Sequence, residues 1–163
     1  MGDLFAVPYA VLEPSHAYLL DVEDEAVGYV LGTPDTARFV QRFRDDYLPS
    51  TTARLPVPPD PPMTPDDFML ALHHTPERML GPEVAAHPGH LHINLLPDWQ
   101  GKGWGRRMMA TFIDSVRAAG CPAVHLAMRS ANTGARPFYH RLGFTELRVD
   151  PPMVYFGRDT SPL

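Results

Sequence analysis

The first half of the chain alternates apolar stretches with short polar breaks. Residues 17–22 and 26–31 are mainly apolar, and the acidic tripeptide Glu23-Asp24-Glu25 separates them. Two apolar runs joined by a short polar segment are typical of a β-hairpin, here with an acidic turn in solvent. Residues 35–47 follow, and we predict that they form a helix.

The second half of the chain has a clearer order. Residues 90–95 are a strand candidate, and residues 123–127 form a second short apolar segment. A longer helix is predicted between them, because apolar residues recur at helical spacing from Gly105 onward and Gly120 is the expected stop. These apolar positions are Met108, Met109, Phe112, Ile113 and Val116.

The carboxy-terminal part continues this order. Phe138 and Leu142 mark another helix, which Gly143 closes, and residues 144–149 and 153–156 predict a final pair of strands. From residue 90 onward the elements are therefore strand, helix, strand, helix, strand and strand. This order predicts an α/β fold in which helices pack on a mixed sheet.

Proline is concentrated in the middle of the chain. Ten of the nineteen prolines lie between residues 49 and 88, and the run from Pro56 to Pro65 is incompatible with a helix or a central strand. A linker between two domains would leave fewer than eighty residues on each side. We therefore expect one domain, residues 1–163, with an insertion (the arm, about residues 48–88) that contains a helix capped by Thr64.

Composition narrows the class of protein. Of 163 residues, 44% are apolar and 20% charged, as in a globular domain. Cys121 is the single cysteine, which favours a reducing compartment. There is no apolar stretch of membrane-spanning length and no signal-peptide pattern at the amino terminus. A net charge of -5 argues against a nucleic-acid partner. We expect a soluble, cytoplasmic protein with no membrane partner.

A glycine-rich run between the strand at 90–95 and the long helix is the strongest chemical signal. Gly101, Gly103 and Gly105 alternate there, and Lys102 and Arg106 add positive charge. Backbone N–H groups that converge at a helix start bind anions, and a diphosphate would fit. The alternative is a flexible surface turn. The spacing matches neither the dinucleotide fingerprint nor the nucleotide-triphosphate loop.

The run resembles the acetyl-CoA loop of the GNAT acetyltransferase superfamily, whose Gln/Arg-x-x-Gly-x-Gly/Ala pattern is met by Gln100, Gly103 and Gly105. Asn132 and Tyr139, followed by Leu-Gly-Phe, resemble a later segment of the same family. The resemblance implies a mixed, mostly antiparallel sheet with a central splayed pair of parallel strands and helices on both faces. Within the superfamily, the chain looks like the bacterial branch related to the acetyltransferase-like domain of O-GlcNAcase.

The resemblance also implies a site for acetyl-CoA as co-substrate. Pantetheine would pair as an added strand with the backbone of the strand before the loop, and the loop amides would hold the pyrophosphate. Without the resemblance, Asn132 reads equally well as a helix cap. The cofactor-binding residues implied are Ile93, Leu95, Gln100, Gly101, Lys102, Gly103, Trp104, Gly105, Arg106, Asn132 and Tyr139.

Three residues are candidates for catalysis. Tyr139 would be the general acid that protonates the departing thiolate, since a phenol is protonated at pH 7. His92, with His90 on the same strand, is a candidate general base, because the pKa of an imidazole is close to 7. Packing or hydrogen bonding of both histidines beneath the arm is an equally good explanation. Asn94 lies two residues after His92, on the same face of the predicted strand, and its side chain would orient the nucleophile. His-x-His alone fixes no third ligand, so we expect no metal, and Cys121 is expected to be a bystander.

The function expected from these features is direct transfer of acetyl from acetyl-CoA to an amine in a ternary complex. The acceptor is an unidentified small molecule or peptide, and the protein would be a monomer or a homodimer. One rival is an inactive domain of the same fold that serves as a peptide-binding or scaffold module. Another is transfer of a larger acyl group, or transfer to a hydroxyl or an aminoglycoside.

Overall fold

The computed structural model describes residues 2–163, apart from the side chain of Asp3, and it contains a six-stranded mixed sheet in the order β1-β2-β3-β4-β6-β5. All neighbouring strands are antiparallel except β3 and β4, which are parallel. The sheet matches the expected architecture. The strands are β1 (Ala17–Val22), β2 (Glu25–Thr33), β3 (Gly89–Leu95), β4 (Ala123–Arg129), β5 (Thr145–Asp150) and β6 (Met153–Asp159).

The predicted hairpin is present as β1 and β2. Glu23 and Asp24 form its turn with φ of 53° and 64°. Positive φ at both central residues is the geometry that matches the right-handed twist of two antiparallel strands. Glu25, which the sequence places in the turn, is the first residue of β2.

The parallel pair is joined over a short distance. Gly89 pairs with Val124 and His90 pairs with His125, and no further pair between β3 and β4 occurs within the described residues. Beyond His90 the two strands diverge, as the splayed pair of the sequence analysis requires. We call the gap between their carboxy-terminal parts the opening.

The helices lie between and beside the strands. The predicted helix at 35–47 begins as expected, because the side chain of Asp35 accepts a hydrogen bond from the Arg38 N–H. It changes to a π-helix at Phe43–Tyr47 and then continues. The α-helices are α1 (Gly2–Phe5), α2 (Val7–Leu12), α3 (Thr36–Arg42), α4 (Leu48–Thr51), α5 (Pro65–His74), α6 (Trp104–Ala118) and α7 (Arg136–Arg141).

One side of the sheet, the core face, is covered by α6 and α7. The apolar positions predicted for the long helix all point into this side, and Phe112 and Ile113 are fully buried. They pack on Leu91 of β3, Val124 of β4 and Phe156 of β6. This layer is the main hydrophobic core.

The other side, the histidine face, carries His90 and His92 of β3 and His125 of β4. Helices α1 and α2, which the sequence analysis did not predict, lie over it. Tyr9 of α2 is buried and stacks on Phe39 of α3 with the ring centroids 4.3 Å apart. Short helices of this kind are held by packing rather than by their own propensity.

The arm folds back onto the histidine face. Its helix α5 starts as predicted, with a capping box between Thr64 and Asp67. Its later part forms two 3-10 turns, Pro76–Met79 and Pro82–Ala85. Glu83 of the second turn is buried and pairs with Arg148 of β5 at 3.3 Å, which ties the arm to the sheet. None of the helices formed by residues 2–163 combines the length and apolarity that a membrane crossing needs.

Candidate active site

The backbone of β3 directs polar groups toward the opening. The N–H of Leu96 donates to the carbonyl of Val27 in β2. Because successive residues of a strand direct their backbone groups to opposite sides, Ile93 and Leu95 direct theirs away from β2 and toward the opening. These are the two residues expected to pair with an added strand. The site residues of the sequence analysis therefore lie around one gap in the sheet.

The loop after β3 is shaped by glycine. It leaves the strand through a 3-10 turn, Pro97–Trp99, and the Gln100 Nε2 donates to the carbonyl of Leu95 at 2.9 Å. Gly101 and Gly103 have φ of 70° and 85°, and a Cβ at either would meet no atom within 4 Å. Backbone conformation rather than space therefore calls for glycine at both positions.

The loop amides are available to a ligand. Within the described part of the chain, no residue accepts a hydrogen bond from the backbone N–H groups of residues 101–106. They precede or form the first turn of α6, where the helix dipole favours negative charge. Lys102 and Arg106 are exposed beside them, and the Lys102 ammonium lies 5.3 Å from the centre of the Trp99 ring. The arrangement suits a diphosphate.

Gly105 has a different role from the other two glycines. It lies inside α6, which begins one residue earlier than predicted, and it does not have positive φ. A Cβ there would lie 2.9 Å from the ring of Phe138. The missing side chain therefore lets α7 approach the first turn of α6, next to the loop.

That close approach places Tyr139 at the inner end of the opening. Its ring packs against Phe144 and Phe156, with centroids 5.7 and 5.6 Å away. Phe156 pairs with Leu126, which is the first residue of β4 beyond the last parallel pair. The Tyr139 side chain is 8% exposed, and its hydroxyl makes no hydrogen bond within residues 2–163. Burial raises the pKa of Tyr139 to about 12.

Asn132 lies at the outer end of the opening on the β4 side. It is exposed in the turn after β4, where its N–H donates to the carbonyl of Arg129. Its carbonyl accepts from Ala135, the residue that caps α7. Asn132 is therefore not the helix cap, and its side chain is exposed beside the gap. Helix α7 begins at Arg136, and Pro137 occupies its first turn, where proline is tolerated.

The histidines lie on the opposite side of the sheet from Tyr139. His90 is buried, its Nδ1 is 3.0 Å from the Tyr9 hydroxyl, and its ring stacks on His125 with the centroids 4.9 Å apart and 3° between planes. The Nδ1 of His125 is 2.7 Å from the carbonyl of His87, the acceptor in this pair. Burial is the main reason that the pKa of His90 and of His125 is lowered. His90 is thus enclosed by packing.

His92 is more accessible than His90. It is half-buried next to the Tyr9 ring, and Asn94, two residues on, is exposed. Burial, followed by the charge of Arg78, lowers the pKa of His92 to about 4. The imidazole is therefore neutral at pH 7, but it is a weaker base than an ordinary histidine.

Comparison with known proteins agrees with this geometry. The model of the Acetyltransferase (GNAT) family matches residues 3–144 of the chain. The crystal structure of SsHAT is 55% identical to it with a TM-score of 0.95, over 98% of this chain and 80% of that one. The chain belongs to the GNAT acetyltransferase family. It is therefore an N-acetyltransferase family enzyme, and acetyl-CoA is the co-substrate that this family uses.

Two curated relatives extend the comparison. The Protein O-GlcNAcase of Rattus norvegicus is 23% identical over 149 residues, which is 90% of this chain and 16% of that protein. The mycothiol acetyltransferase of Nocardiopsis dassonvillei is 37% identical over 74 residues, or 43% of this chain and 21% of that protein. The GNAT chain thus spans no more than about a fifth of either relative.

Three residues of this GNAT site escaped the sequence analysis. Tyr9 and Arg78 lie in short turns of helix with no periodic pattern, and only the fold brings them to the histidine face. The sequence did contain a signal for His125. It lies in the predicted strand that runs parallel to the strand of His90 and His92, and residues paired across two neighbouring strands direct their side chains to the same face of the sheet.

Cys121 lies at the end of the sheet where β3 and β4 are paired, because a Cβ on Gly89 would be 2.8 Å from its sulfur. Its thiol is buried and donates to the carbonyl of Ala123, and burial raises the pKa of the thiol. The opening is at the other end of these strands. As for metals, residues 2–163 bring together no three His, Cys, Asp or Glu side chains with a geometry that could hold an ion.

Proposed function

We propose that the protein transfers acetyl from acetyl-CoA directly to an amine in a ternary complex, with Tyr139 on one side of the opening and His92 and Asn94 on the other. The position of Tyr139 carries this proposal. Its ring lies over the point where β3 and β4 part, where an acetyl group at the end of an inserted pantetheine would arrive.

The loop and strand would hold the cofactor in three parts. The free amides of residues 101–106, with Lys102 and Arg106, would bind the pyrophosphate. The backbone of Ile93 and Leu95 would pair with pantetheine as a sheet edge pairs with an added strand. Asn132 would bond the arm of pantetheine from the β4 side. Gln100, Trp104 and Gly105 would shape the loop around it.

The position of Cys121 supports direct transfer. The amine nitrogen would attack the thioester carbon, the carbon–sulfur bond would break, and acetyl would move to nitrogen. One amine proton would leave and the sulfur would gain one. Cys121 is buried at the paired end of the strands, so an acetylated cysteine is not part of this proposal.

Tyr139 would donate a hydrogen bond to the leaving sulfur. With a pKa of about 12 it keeps its proton at all physiological pH values. Complete transfer to a thiolate with an ordinary pKa near 8.5 would be uphill by roughly 5 kcal/mol. We therefore assign most of its effect to a hydrogen bond that strengthens as charge develops on sulfur, with the proton following as CoA leaves.

His92 would accept a hydrogen bond from a neutral amine. A base with a pKa of about 4 is poorly matched to an alkylammonium with a pKa near 10.4, so the acceptor should lose its first proton to solvent. His92 would then take the second proton, which becomes acidic after attack on the thioester. Asn94 would orient the amine.

The test is Tyr139→Phe, which removes the hydroxyl and keeps the ring that packs on Phe144 and Phe156. We expect kcat to fall by about 10²- to 10⁴-fold, with the Kd for acetyl-CoA unchanged in calorimetry. Tyr18→Phe is the matched control, because its hydroxyl only bonds the carbonyl of Ser15. An unchanged kcat in Tyr139→Phe would remove this residue from the mechanism.

The remaining expectations are part of the same proposal. They are one domain over residues 1–163, a cytoplasmic location, no metal, and a monomer or homodimer. Binding of acetyl-CoA with no transfer to a broad panel of amines would favour the scaffold role over the enzyme. Alkylation of Cys121 is expected to leave turnover intact.

A further inference from the structure

Arg78 is held above the histidine face by its neighbours. It belongs to the 3-10 turn Pro76–Met79, and the next residue, Met79, accepts a hydrogen bond from the Tyr9 hydroxyl at 3.8 Å. The Tyr9 ring lies 5.2 Å from the ring of His92. The turn that carries Arg78 is therefore fixed next to the residues assigned to the acceptor side.

The charge of Arg78 acts on residues of the histidine face. Burial is the main reason that the pKa of His90 and of His92 is lowered, and the charge of Arg78 lowers both further. Arg78 also interacts electrostatically with Tyr155 of β6. The residue as a whole is exposed, so a ligand can reach it.

None of the described side chains supplies a counter-charge to Arg78. The one hydrogen bond of the Arg78 side chain runs from Nε to the carbonyl of Leu72, at 3.1 Å, and no described carboxylate pairs with its guanidinium. The other arginines around the arm differ: Arg44 pairs with Glu77, and Arg148 pairs with Glu83 and Asp150.

The neighbours of Arg78 cannot supply the missing negative charge. His90, His92 and His125 are neutral at pH 7, and burial raises the pKa of Tyr9, so its phenol also stays neutral. A guanidinium with free Nη groups in partly enclosed surroundings is the side chain best suited to bind a carboxylate through two hydrogen bonds.

We propose that Arg78 binds a carboxylate of the acceptor, so that the acetyl acceptor is a small amine that also carries a carboxylate group. The amine would lie toward His92 and Asn94 while the carboxylate is held under the arm. This assignment rests on the proposed function, because it uses the same opening and the same acceptor side.

The test measures the binding of acetylated products, which are compared in pairs with and without a carboxylate. It therefore does not depend on turnover. The probes are N-acetylalanine, N-acetylleucine and N-acetylphenylalanine, each compared with the acetamide of the same amine without its carboxylate. We expect the wild-type protein, with CoA bound, to bind the carboxylate member of at least one pair tenfold or more tightly. Arg78→Gln should remove that preference and leave the affinity for the neutral member unchanged.

Two further variants separate recognition from folding. Arg78→Lys keeps the charge without the bidentate geometry, and it should keep a reduced preference. Arg117→Gln is the matched control, since this exposed arginine of α6 pairs with Asp114 and should retain the full preference. Thermal unfolding of each variant shows whether the arm has been disturbed.

The outcomes also distinguish the two proposals. Equal affinity within every pair, no binding of any probe, or a preference that survives in Arg78→Gln would overturn the role of Arg78. Acetyl-CoA that fails to bind in calorimetry would instead overturn the proposed function. The preference can still be measured on the unliganded protein in that case.

Discussion

The two faces of the sheet are built from different chemistry. On the core face, α6 and α7 press apolar side chains onto alternate residues of β3, β4 and β6, and the buried groups are almost all hydrocarbon. On the histidine face, the other residues of the same strands carry imidazoles. They lie beneath a tyrosine, two short helices and the proline-rich arm.

The difference separates stability from specificity. Burial of hydrocarbon on the core face stabilises the sheet and fixes the direction of α6. Because the loop leads into this helix, the orientation of the loop amides is fixed as well. The histidine face keeps titratable groups out of water, which costs stability and leaves polar groups next to the opening. Substitutions on the two faces should therefore have different consequences.

The largest expected effect is on the core face. Phe112→Ala removes a fully buried ring from the centre of α6, and it should lower the free energy of unfolding by about 3–5 kcal/mol. Urea unfolding measures this loss. Phe112→Leu should cost distinctly less, because it refills most of the volume. If the alanine variant were as stable as the wild type, α6 would not be the main support of the sheet.

The histidine face should make stability depend on pH. His90, His92 and His125 have a lowered pKa in the folded protein, so below pH 6.5 the unfolded chain binds more protons than the native state. Stability is then lost as pH falls from 6.5 toward the folded-state values. Each histidine that stays neutral in the folded protein contributes about 1.4 kcal/mol, so we expect a loss of up to about 4 kcal/mol between pH 7.5 and 5.5 in urea unfolding.

His92→Gln sharpens this expectation. It removes one of the three groups, and the slope of stability against pH should decrease while the value at pH 7.5 changes little. A wild-type stability that is flat across this range would show that the histidines are as well solvated in the folded protein as in the unfolded chain.

The smallest expected effect on stability concerns the two glycines that flank α6. Gly103→Ala and Gly120→Ala both force alanine into φ of 85° at open positions, so each should cost about 1–2 kcal/mol. They flank the two ends of α6, and only Gly103 belongs to the amides offered to the diphosphate. Calorimetry should show weaker acetyl-CoA binding for Gly103→Ala alone. Equal binding by both variants would argue against the loop as the phosphate site.

Much of the fold was predictable from local signals. The hairpin, α6 with its stop at Gly120, and the cap at Thr64 each depend on residues within a few positions of one another. The glycine loop is local in the same sense. Its positive φ values and free amides are set by the sequence between β3 and α6.

The histidine face was not predictable in the same way. Helices α1 and α2 have four and six residues, too few to form without tertiary contacts. Tyr9 is placed by Phe39, Met79 and His90, which are 30 to 81 residues away along the chain. Arg78 depends on the path of a proline-rich segment. No periodic pattern encodes such contacts, so the acceptor side emerges only from the assembled fold.

The pairing of β3 with β4 has a mechanical consequence. Two rungs, Gly89 with Val124 and His90 with His125, connect a half-sheet of β1, β2 and β3 to a half-sheet of β4, β5 and β6. A molecule that hydrogen-bonds to both halves adds its own binding free energy to this narrow junction. An occupied gap would therefore connect the two half-sheets by hydrogen bonds along the part of β3 and β4 that is unpaired, in addition to the shared packing on α6.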